Sequence, residues 1–551
     1  MTFTVIVGGK AGYGVKKAAS TVAKIFSERA LHVFEMDDYP SVIKGSHNFS
    51  VISCDSRPIT SHYQKAQLIV ALDKRSYDAH ISDLAEDGIL IHDSGSGPEG
   101  VALPISEEAK QSSKPELITG VAAITVLCAA VGMSKEELLA IIEKEYARGV
   151  EENKAYAEKM YDHAMPKIGG KFRLPEGDGK QRRLATGNEM IGLGAAAAGL
   201  DMYIAYPMTP STSILHMLAE KADSLGIEVV QAESELAVAN MAIGAVFTGA
   251  KTAVGTSGGG FCLMQEAFSL AGISEAPVLF VMVSRPGPAT GVPTYTSQGD
   301  LKWIRHPGHG EFPRIVAAPG SVEECFYLAA ELMWLAWNFQ NPTVLLSDKH
   351  LSESTNTVQI QPEKARWAVE IPHDQHEGYK RYAIREDGIS PLQFPPSKEM
   401  IKWTSYEHDE RGITTEDAEM VRKMAEKRSR KGKNIIEHLK HNKTVNRYGE
   451  SRSGKIIVTY GSTTMSVLEA LKASGIEDVQ VVQPIYVEPF PAWELKDLKG
   501  KELVAVELDE NEQFADLFRS RGLDLKAVIK RYDGRPFDPK ELAEKLKEVF
   551  R

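Results

Sequence analysis

The sequence predicts an α/β chain of three domains, and three observations carry that expectation. Strand-like and helix-like segments alternate from residue 1 to about 168, the pattern of a layered α/β domain. The alternation restarts at Asn188 and again near Lys455, each time after a stretch without periodicity. A length of 551 residues and an apolar content of 43% supply enough chain and enough core-forming side chains for several such domains. The expected boundaries are 1–168, a linker at 169–187, a second domain at 188–351, an irregular connecting segment at 352–452 and a third domain at 453–551.

In the first domain, segments such as FTVIVGG, HVFEM and QLIVALD are expected to form a mostly parallel sheet. The first strand runs into GGKAGYGV, where Gly12 and Gly14 free a backbone turn to approach a phosphate at the start of the next helix. Glu35, at the end of the following strand, stands near where a dinucleotide fold keeps its ribose-binding acid. The spacing departs from GxGxxG, and tight-turn packing without a ligand explains the glycines equally well. Tyr39 to Asn48 reads as an exposed loop offering Lys44 and His47 to a ligand or to solvent. In the linker, Gly177-Asp178-Gly179 imitates the start of a diphosphate–magnesium motif, but no apolar strand precedes it and the asparagine such a motif needs is absent, so chance explains it.

The second domain carries the corner YPMTPST, Tyr206 to Thr212. Two prolines fix φ and remove backbone donors, which makes the strand-to-helix turn rigid. Such a corner holds the Thr209 hydroxyl and the amides of Ser211 and Thr212 at a helix N-terminus, a setting that suits a carboxylate; the alternative is a plain helix start. Glu235 opens the next helix, where an acid also favours the dipole. AVGTSGGGF reads as a strand ending in a glycine loop, and RPGPATGVPTYTSQGD, residues 285–300, as a long functional loop. The basic helix from Ala418 to about Asn442 alternates bases with acids and reads as a solvated face.

Composition excludes several functions. A formal net charge of −11 argues against non-specific binding to nucleic acid or anionic membranes, both of which need a basic face. No apolar run reaches the roughly 18–20 residues of a membrane span and no signal-peptide pattern opens the chain, so a cytoplasmic location is expected. Cys54, Cys128, Cys262 and Cys325 never form CxxC; they read as buried thiols, and any redox cluster must sit on another chain.

Taken together, the corner at 206–212, the Glu235 helix, Thr256-Ser257-Gly258-Gly259-Gly260-Phe261, the Gly287 to Thr294 loop and the Val506-Glu507 strand resemble the 2-oxoacid:ferredoxin oxidoreductases, in particular an alpha subunit with an N-terminally fused gamma domain. GGKAGYGV and YPSVIKGSHN resemble the gamma domain; Tyr460-Gly461-Ser462, Pro489-Phe490-Pro491 and Tyr532 to Phe537 resemble the transketolase C-terminal-like domain. The resemblance implies a gamma domain, a thiamine-diphosphate pyrimidine-type domain and the transketolase-like domain, in that order. It implies oxidative decarboxylation of a 2-oxoacid with coenzyme A, giving acyl-CoA, CO2 and reduced ferredoxin, by an enzyme active only with a beta subunit. Thiamine diphosphate would be shared with that subunit, which would hold Mg2+ and a [4Fe-4S] cluster, in an (alpha-beta)2 assembly.

On this resemblance Glu235 is the carboxylate that activates the cofactor. Thr209, with Pro210 and Ser211, contacts the substrate, and Thr256, Ser257, Gly258 and Gly259 lie under the thiamine ring. Tyr295 stands where several family members place a carboxylate-clamping arginine, and Arg285, Lys302 and Arg305 are the nearby cations. Two other readings remain: a nucleotide-dependent dehydrogenase built on Gly9 to Gly14 and Glu35, and a non-catalytic scaffold subunit.

Overall fold

The computed structural model describes residues 2–40, 46–368 and 378–551. It contains three sheets, as the three-fold alternation of strands and helices leads one to expect. The chain forms two compact units: Met1–Ala185 with Glu353–Gln359 and Asp538–Leu542, and Thr186–Ser352 with Ile360–Phe537 and Ala543–Arg551.

The first unit holds an eight-stranded sheet in the order Val101–Leu103, Leu84–Asp93, Ala66–Ala71, Phe3–Lys10, His47–Asp55, His32–Asp38, Thr355–Val358 and Arg183–Thr186. The sheet is mixed, where a mostly parallel one was expected. Phe3–Lys10 runs parallel to Ala66–Ala71 but antiparallel to His47–Asp55, which is antiparallel to His32–Asp38. The connection from Asp38 to His47 is too short for a crossover helix, so the chain returns beside itself in the opposite direction. The helix Val121–Ala130 is apolar on every side and buried at every residue, an inner wall of this core.

Several expectations for the first domain change here. His47 opens a strand; its Nε2 lies 2.8 Å from His80 Nε2 and its Nδ1 3.3 Å from Ser76 Oγ, and burial together with His80 pushes its pKa down to about 4. Lys44 lies outside the described residues. Glu35 is buried inside its strand opposite Thr355, and burial raises its carboxyl to about 8, so it is no surface acid for a ribose. Gly14 takes φ +71° at the start of the Val15–Glu28 helix, and a Cβ there would lie 3.2 Å from the Leu117 carbonyl oxygen. That helix start is packed against chain; Gly12, at φ +104°, has open space around it.

The second unit contains a seven-stranded sheet in the order Tyr486–Glu488, Ile315–Ala317, Thr343–Asp348, Leu279–Ser284, Thr252–Ser257, Met202–Ala205 and Glu228–Gln231. All neighbours are parallel except Tyr486–Glu488, which adds antiparallel to Ile315–Ala317 from the C-terminal part of the chain. A five-stranded sheet follows in the order Val445–Tyr448, Val479–Pro484, Lys455–Val458, Glu502–Glu507 and Leu525–Lys530. The helix Ala418–Lys440 is present, but its face is not simply solvated: Lys427 and Lys431 are fully buried and both meet the Glu275 carboxylate, at 2.5 and 2.6 Å. Cys262 is exposed, whereas Cys54, Cys128 and Cys325 are buried. Asp178, in the GDG triplet, pairs with Arg182.

Candidate active site at the carboxyl edge of the seven-stranded sheet

Parallel strands fed by helices leave their carboxyl ends pointing into one set of loops, the usual location of ligand sites in such sheets. Here Met202–Ala205 runs into the proline corner, Glu228–Gln231 leads to Glu235, Thr252–Ser257 leads to the three glycines, and Leu279–Ser284 leads to Arg285. Four adjacent strands therefore deliver the residues singled out in the sequence to one edge.

Glu235 is the first residue of the helix Glu235–Phe247, which Ser234 caps by accepting the Ala237 N–H at 3.3 Å. The carboxylate is only 4% exposed, and its Oε1 has no hydrogen-bond partner. A buried carboxylate oxygen left unsatisfied is costly, so the arrangement is suited to receiving a donor from a bound group. Gly260 closes the other side: a Cβ there would collide with Thr256 Oγ1 and come within 2.6 Å of Glu235 Oε1. Glycine at 260 is what lets the two helices approach around the acid.

The glycines do not form a loop, as was expected, but the first turn of the helix Gly258–Ser274, which begins directly at the strand end. Ser257 occupies the N-cap position without capping; its hydroxyl is buried and unpartnered. Uncapped N–H groups at this end, with no side chain on Gly258, Gly259 or Gly260, give a surface that a flat ring or an anion can approach closely. Thr256 is buried, with its hydroxyl 3.8 Å from Met208 Sδ.

The proline corner is held from three sides. Ser211 donates both its N–H and its hydroxyl to the Met208 carbonyl, at 2.9 and 2.8 Å, so this residue braces the turn and its donors are spent there. The Pro210 carbonyl accepts from Asn188 Nδ2 at 2.7 Å, and the same amide reaches Ser213 Oγ at 2.8 Å. The Thr209 carbonyl accepts from Arg285 Nη1 at 2.6 Å. Burial pushes the Arg285 pKa down while Asp300 and Glu235 pull it back, which places this guanidinium within electrostatic range of Glu235. No carboxylate among the described residues forms an ion pair with Arg285.

The 285–300 loop is pinned at its far end by Gln298. Its side chain donates to the Tyr460 carbonyl at 3.1 Å and accepts from Thr463 Oγ1 at 2.9 Å, while its backbone N–H meets the Leu508 carbonyl at 2.9 Å. Asp300, whose carboxyl burial raises, accepts from Ser284 Oγ at 2.6 Å and faces Gly258. Within the loop Thr294 is buried with an unpartnered hydroxyl, and the Arg535 guanidinium lies 3.7 Å above the Tyr295 ring. Of the other cations, Arg305 is committed to Glu488 at 2.7 Å and to the Val487 carbonyl; Lys302 is exposed on the short helix Leu301–Ile304. Gly12 and Gly14 belong to the first unit and form part of its own turn.

Sequence reading missed Asn188, Gln298 and Arg535. Asn188 sits in a small-residue helix with nothing local to distinguish it, and Arg535 follows a turn glycine far along the chain. Only the TSQGD end of the loop, polar yet followed by an apolar helix start, carried a signal for Gln298.

Comparison with known proteins identifies the family. Residues 4–163 match the family described as pyruvate ferredoxin/flavodoxin oxidoreductase, and residues 193–427 match the thiamine-diphosphate-binding domain of pyruvate flavodoxin/ferredoxin oxidoreductase. The chain is 30% identical to the alpha subunit of 2-oxoacid:ferredoxin oxidoreductase 2 from Aeropyrum pernix, over 99% of this chain and 97% of the relative. It is 40% identical to the 2-oxoglutarate synthase subunit KorA of Archaeoglobus fulgidus, over 33% of this chain and 53% of that one. The structure superposes on 2-oxoglutarate:ferredoxin oxidoreductase from Magnetococcus marinus, solved with 2-oxoglutarate, coenzyme A and succinyl-CoA bound, with a TM-score of 0.90, 27% identity and full coverage of both chains. No helix among the described residues is long and apolar enough to cross a membrane. With its thiamine-diphosphate-binding domain and its match along the full length of an alpha subunit, the chain belongs to the 2-oxoacid:ferredoxin oxidoreductases and is an alpha subunit of such an oxidoreductase.

Proposed function

We propose that this chain is the alpha subunit of a cytoplasmic enzyme that converts a 2-oxoacid and coenzyme A to acyl-CoA and CO2, passing two electrons to ferredoxin. The observation that carries the proposal is the Glu235 carboxylate, buried with Oε1 unpartnered between the capped helix start and Gly260. Thiamine diphosphate, when bound, supplies the centre that stabilises the carbanion left by loss of CO2. Glu235 Oε1 would hold the proton shared with the pyrimidine ring nitrogen of that cofactor, and the Thr256 to Gly259 segment would form the floor on which its rings rest. Thr209, fixed by Arg285, and Arg285 itself, with no carboxylate among the described residues paired to it, would bind the 2-oxoacid carboxylate, the task a neutral Tyr295 performs poorly.

A beta subunit completes the site. In this reading it holds the diphosphate, Mg2+ and a [4Fe-4S] cluster, and two alpha-beta pairs form the assembly. Large apolar side chains left in water on the site's own elements support such a partner: Tyr206 beside the corner, Leu236 beside Glu235, Leu263 after the glycines and Val292 in the loop. Among the described residues, no cluster of three or more His, Cys, Asp or Glu could hold a metal ion. The test is co-expression with the partner chain, followed by a screen of pyruvate, 2-oxobutyrate, 2-oxoglutarate and branched or aromatic 2-oxoacids with CoA, thiamine diphosphate and a viologen acceptor. Turnover of one of them is expected; turnover of none sinks the proposal.

A further inference from the structure

Two carboxylates bracket the first turn of the helix Gly258–Ser274. A Cβ on Gly260 would lie 2.6 Å from Glu235 Oε1, and one on Gly258 would lie 3.0 Å from Asp300 Oδ2. Glu235 is left with an open oxygen, whereas both oxygens of Asp300 are engaged: Oδ2 accepts from Ser284 Oγ at 2.6 Å and Oδ1 from Trp303 Nε1 at 3.2 Å. The first of these bonds joins the two ends of the 285–300 loop, because Ser284 is the last residue of its strand and stands immediately before Arg285. The far end is held a second time by Gln513, whose Nε2 donates to the Gly299 carbonyl and whose Oε1 accepts the Lys302 N–H, both at 2.7 Å. The backbone on either side of Asp300 is thereby fixed, and through Ser284 the acid fixes the residue that leads into Arg285.

Arg285 is the cation that this arrangement serves. Its Nη1 is spent on the Thr209 carbonyl, and no ion pair among the described residues takes the rest of the guanidinium. Asp300 and Glu235 both act on its charge through space, and together they oppose the desolvation that burial imposes on it. A carboxylate in direct contact would occupy the fork that a substrate needs; one that bonds to the preceding serine instead favours the cation and leaves its donors open. We propose that Asp300 is a positioning residue for substrate binding: by closing the base of the 285–300 loop on Ser284, it holds the Arg285 guanidinium where the 2-oxoacid carboxylate arrives. The inference rests on the function proposed above, with Arg285 and Thr209 binding that carboxylate. It gives the two acids beside one helix start separate tasks, Asp300 acting through Arg285 and Glu235 on the cofactor.

The test is a double-mutant cycle in the full-length chain with its partner subunit. It measures kcat, the KM for CoA and the KM for the 2-oxoacid of the screen above on which the wild type is fastest. Asp300→Asn keeps one acceptor oxygen but removes the charge; it should raise the KM for the 2-oxoacid by roughly 10- to 100-fold, as loss of a hydrogen bond to a charged group does, with kcat and the KM for CoA within about 3-fold. Ser284→Ala, which unlatches the loop but leaves the charge, should raise the same constant by roughly 3- to 10-fold. In an Arg285→Gln background Asp300→Asn should add less than about 3-fold, because the group through which it acts is gone. Additive losses in the cycle, a fall in kcat without a rise in KM, or an equal rise in both KM values overturns the inference, since a residue that merely supports the fold would give these. Should Asp300→Asn not fold, Ser284→Ala in the two backgrounds decides by the same criteria. If Arg285→Gln leaves the KM for the 2-oxoacid unchanged, the proposed carboxylate contact and this inference both fall while the reaction stands; a wild-type complex that turns over no 2-oxoacid removes the proposed function and the inference together.

Discussion

The helix Gly258–Ser274 presents two opposite solutions to the same problem at its two ends. Just past its C-terminus Glu275 is buried at φ +56°, and both oxygens of its carboxylate are paired: Lys427 holds one and Lys431 the other, while Arg381 donates to the Ser274 and Glu275 carbonyls at 3.1 Å and to Gln340 Oε1 at 2.9 Å. At its N-terminus Glu235 is equally buried, yet Oε1 and the neighbouring Ser257 hydroxyl are left without partners. Burial does not separate Glu275 from Glu235, the acid proposed to act on the cofactor; satisfaction of the carboxylate does. A buried carboxylate with both oxygens paired has nothing left to offer a ligand, whereas one with an open oxygen does.

The comparison can be broken in four ways. The largest effect is expected from Glu235→Gln, which should cost roughly 10²–10⁴-fold in turnover of the reconstituted complex with the melting temperature unchanged. Unchanged turnover would favour the scaffold reading instead. At the other end, Lys431→Met should lower stability by roughly 3–5 kcal/mol in denaturant titration, because it strips one partner from a buried acid, while activity per folded molecule persists. Acid should distinguish the ends as well. Burial alone would raise the Glu275 carboxyl, but the charges of Lys431, Lys427 and Arg381 overcome it and hold the group well below its ordinary value of 4.5. Its contribution to stability is then complete above that pH and is lost as pH falls below it, so Glu275→Gln should flatten the acid limb of a stability–pH curve. The smallest change is expected from Ser257→Ala, under about 1 kcal/mol in stability and of either sign, since the hydroxyl it removes bonds to none of the described residues.

Much of this was legible in the sequence because local pattern and function coincided. The strands leading to Thr209, Glu235, Ser257 and Arg285 are short apolar runs closed by glycine, proline or a capping residue, and such punctuation marks a loop at a strand end without any tertiary information. What was not legible depended on partners distant in the chain. The basic helix read as solvated because its charges alternate, and only a fold that brings Glu275 against Lys427 and Lys431 buries them. The strand direction at His47–Asp55 turned on a short connection whose geometry no periodicity encodes. Ser211 looked like a donor to substrate because its amide was expected to lie uncapped at the helix N-terminus, and no local pattern shows the Met208 carbonyl that consumes it. Arg535 finds Tyr295 across the fold, at a separation no motif spacing describes.

The eight-stranded sheet has a consequence for how the protein is made. The His32–Asp38 strand takes its outer neighbour from Thr355–Val358, and the hydrogen bond between the Val33 N–H and Thr357 Oγ1 joins residues 324 apart in the chain. At roughly 5–20 residues per second on the ribosome, the inner strand emerges roughly 16–65 s before its partner exists. Over that interval the nascent polypeptide carries an open sheet edge, the kind that pairs with whatever strand arrives first. The connecting segment that looks like a tether between domains therefore also supplies the strand that sits between His32–Asp38 and Arg183–Thr186 in the N-terminal sheet, and a chain cut short before residue 355 would be released with the His32–Asp38 edge uncovered.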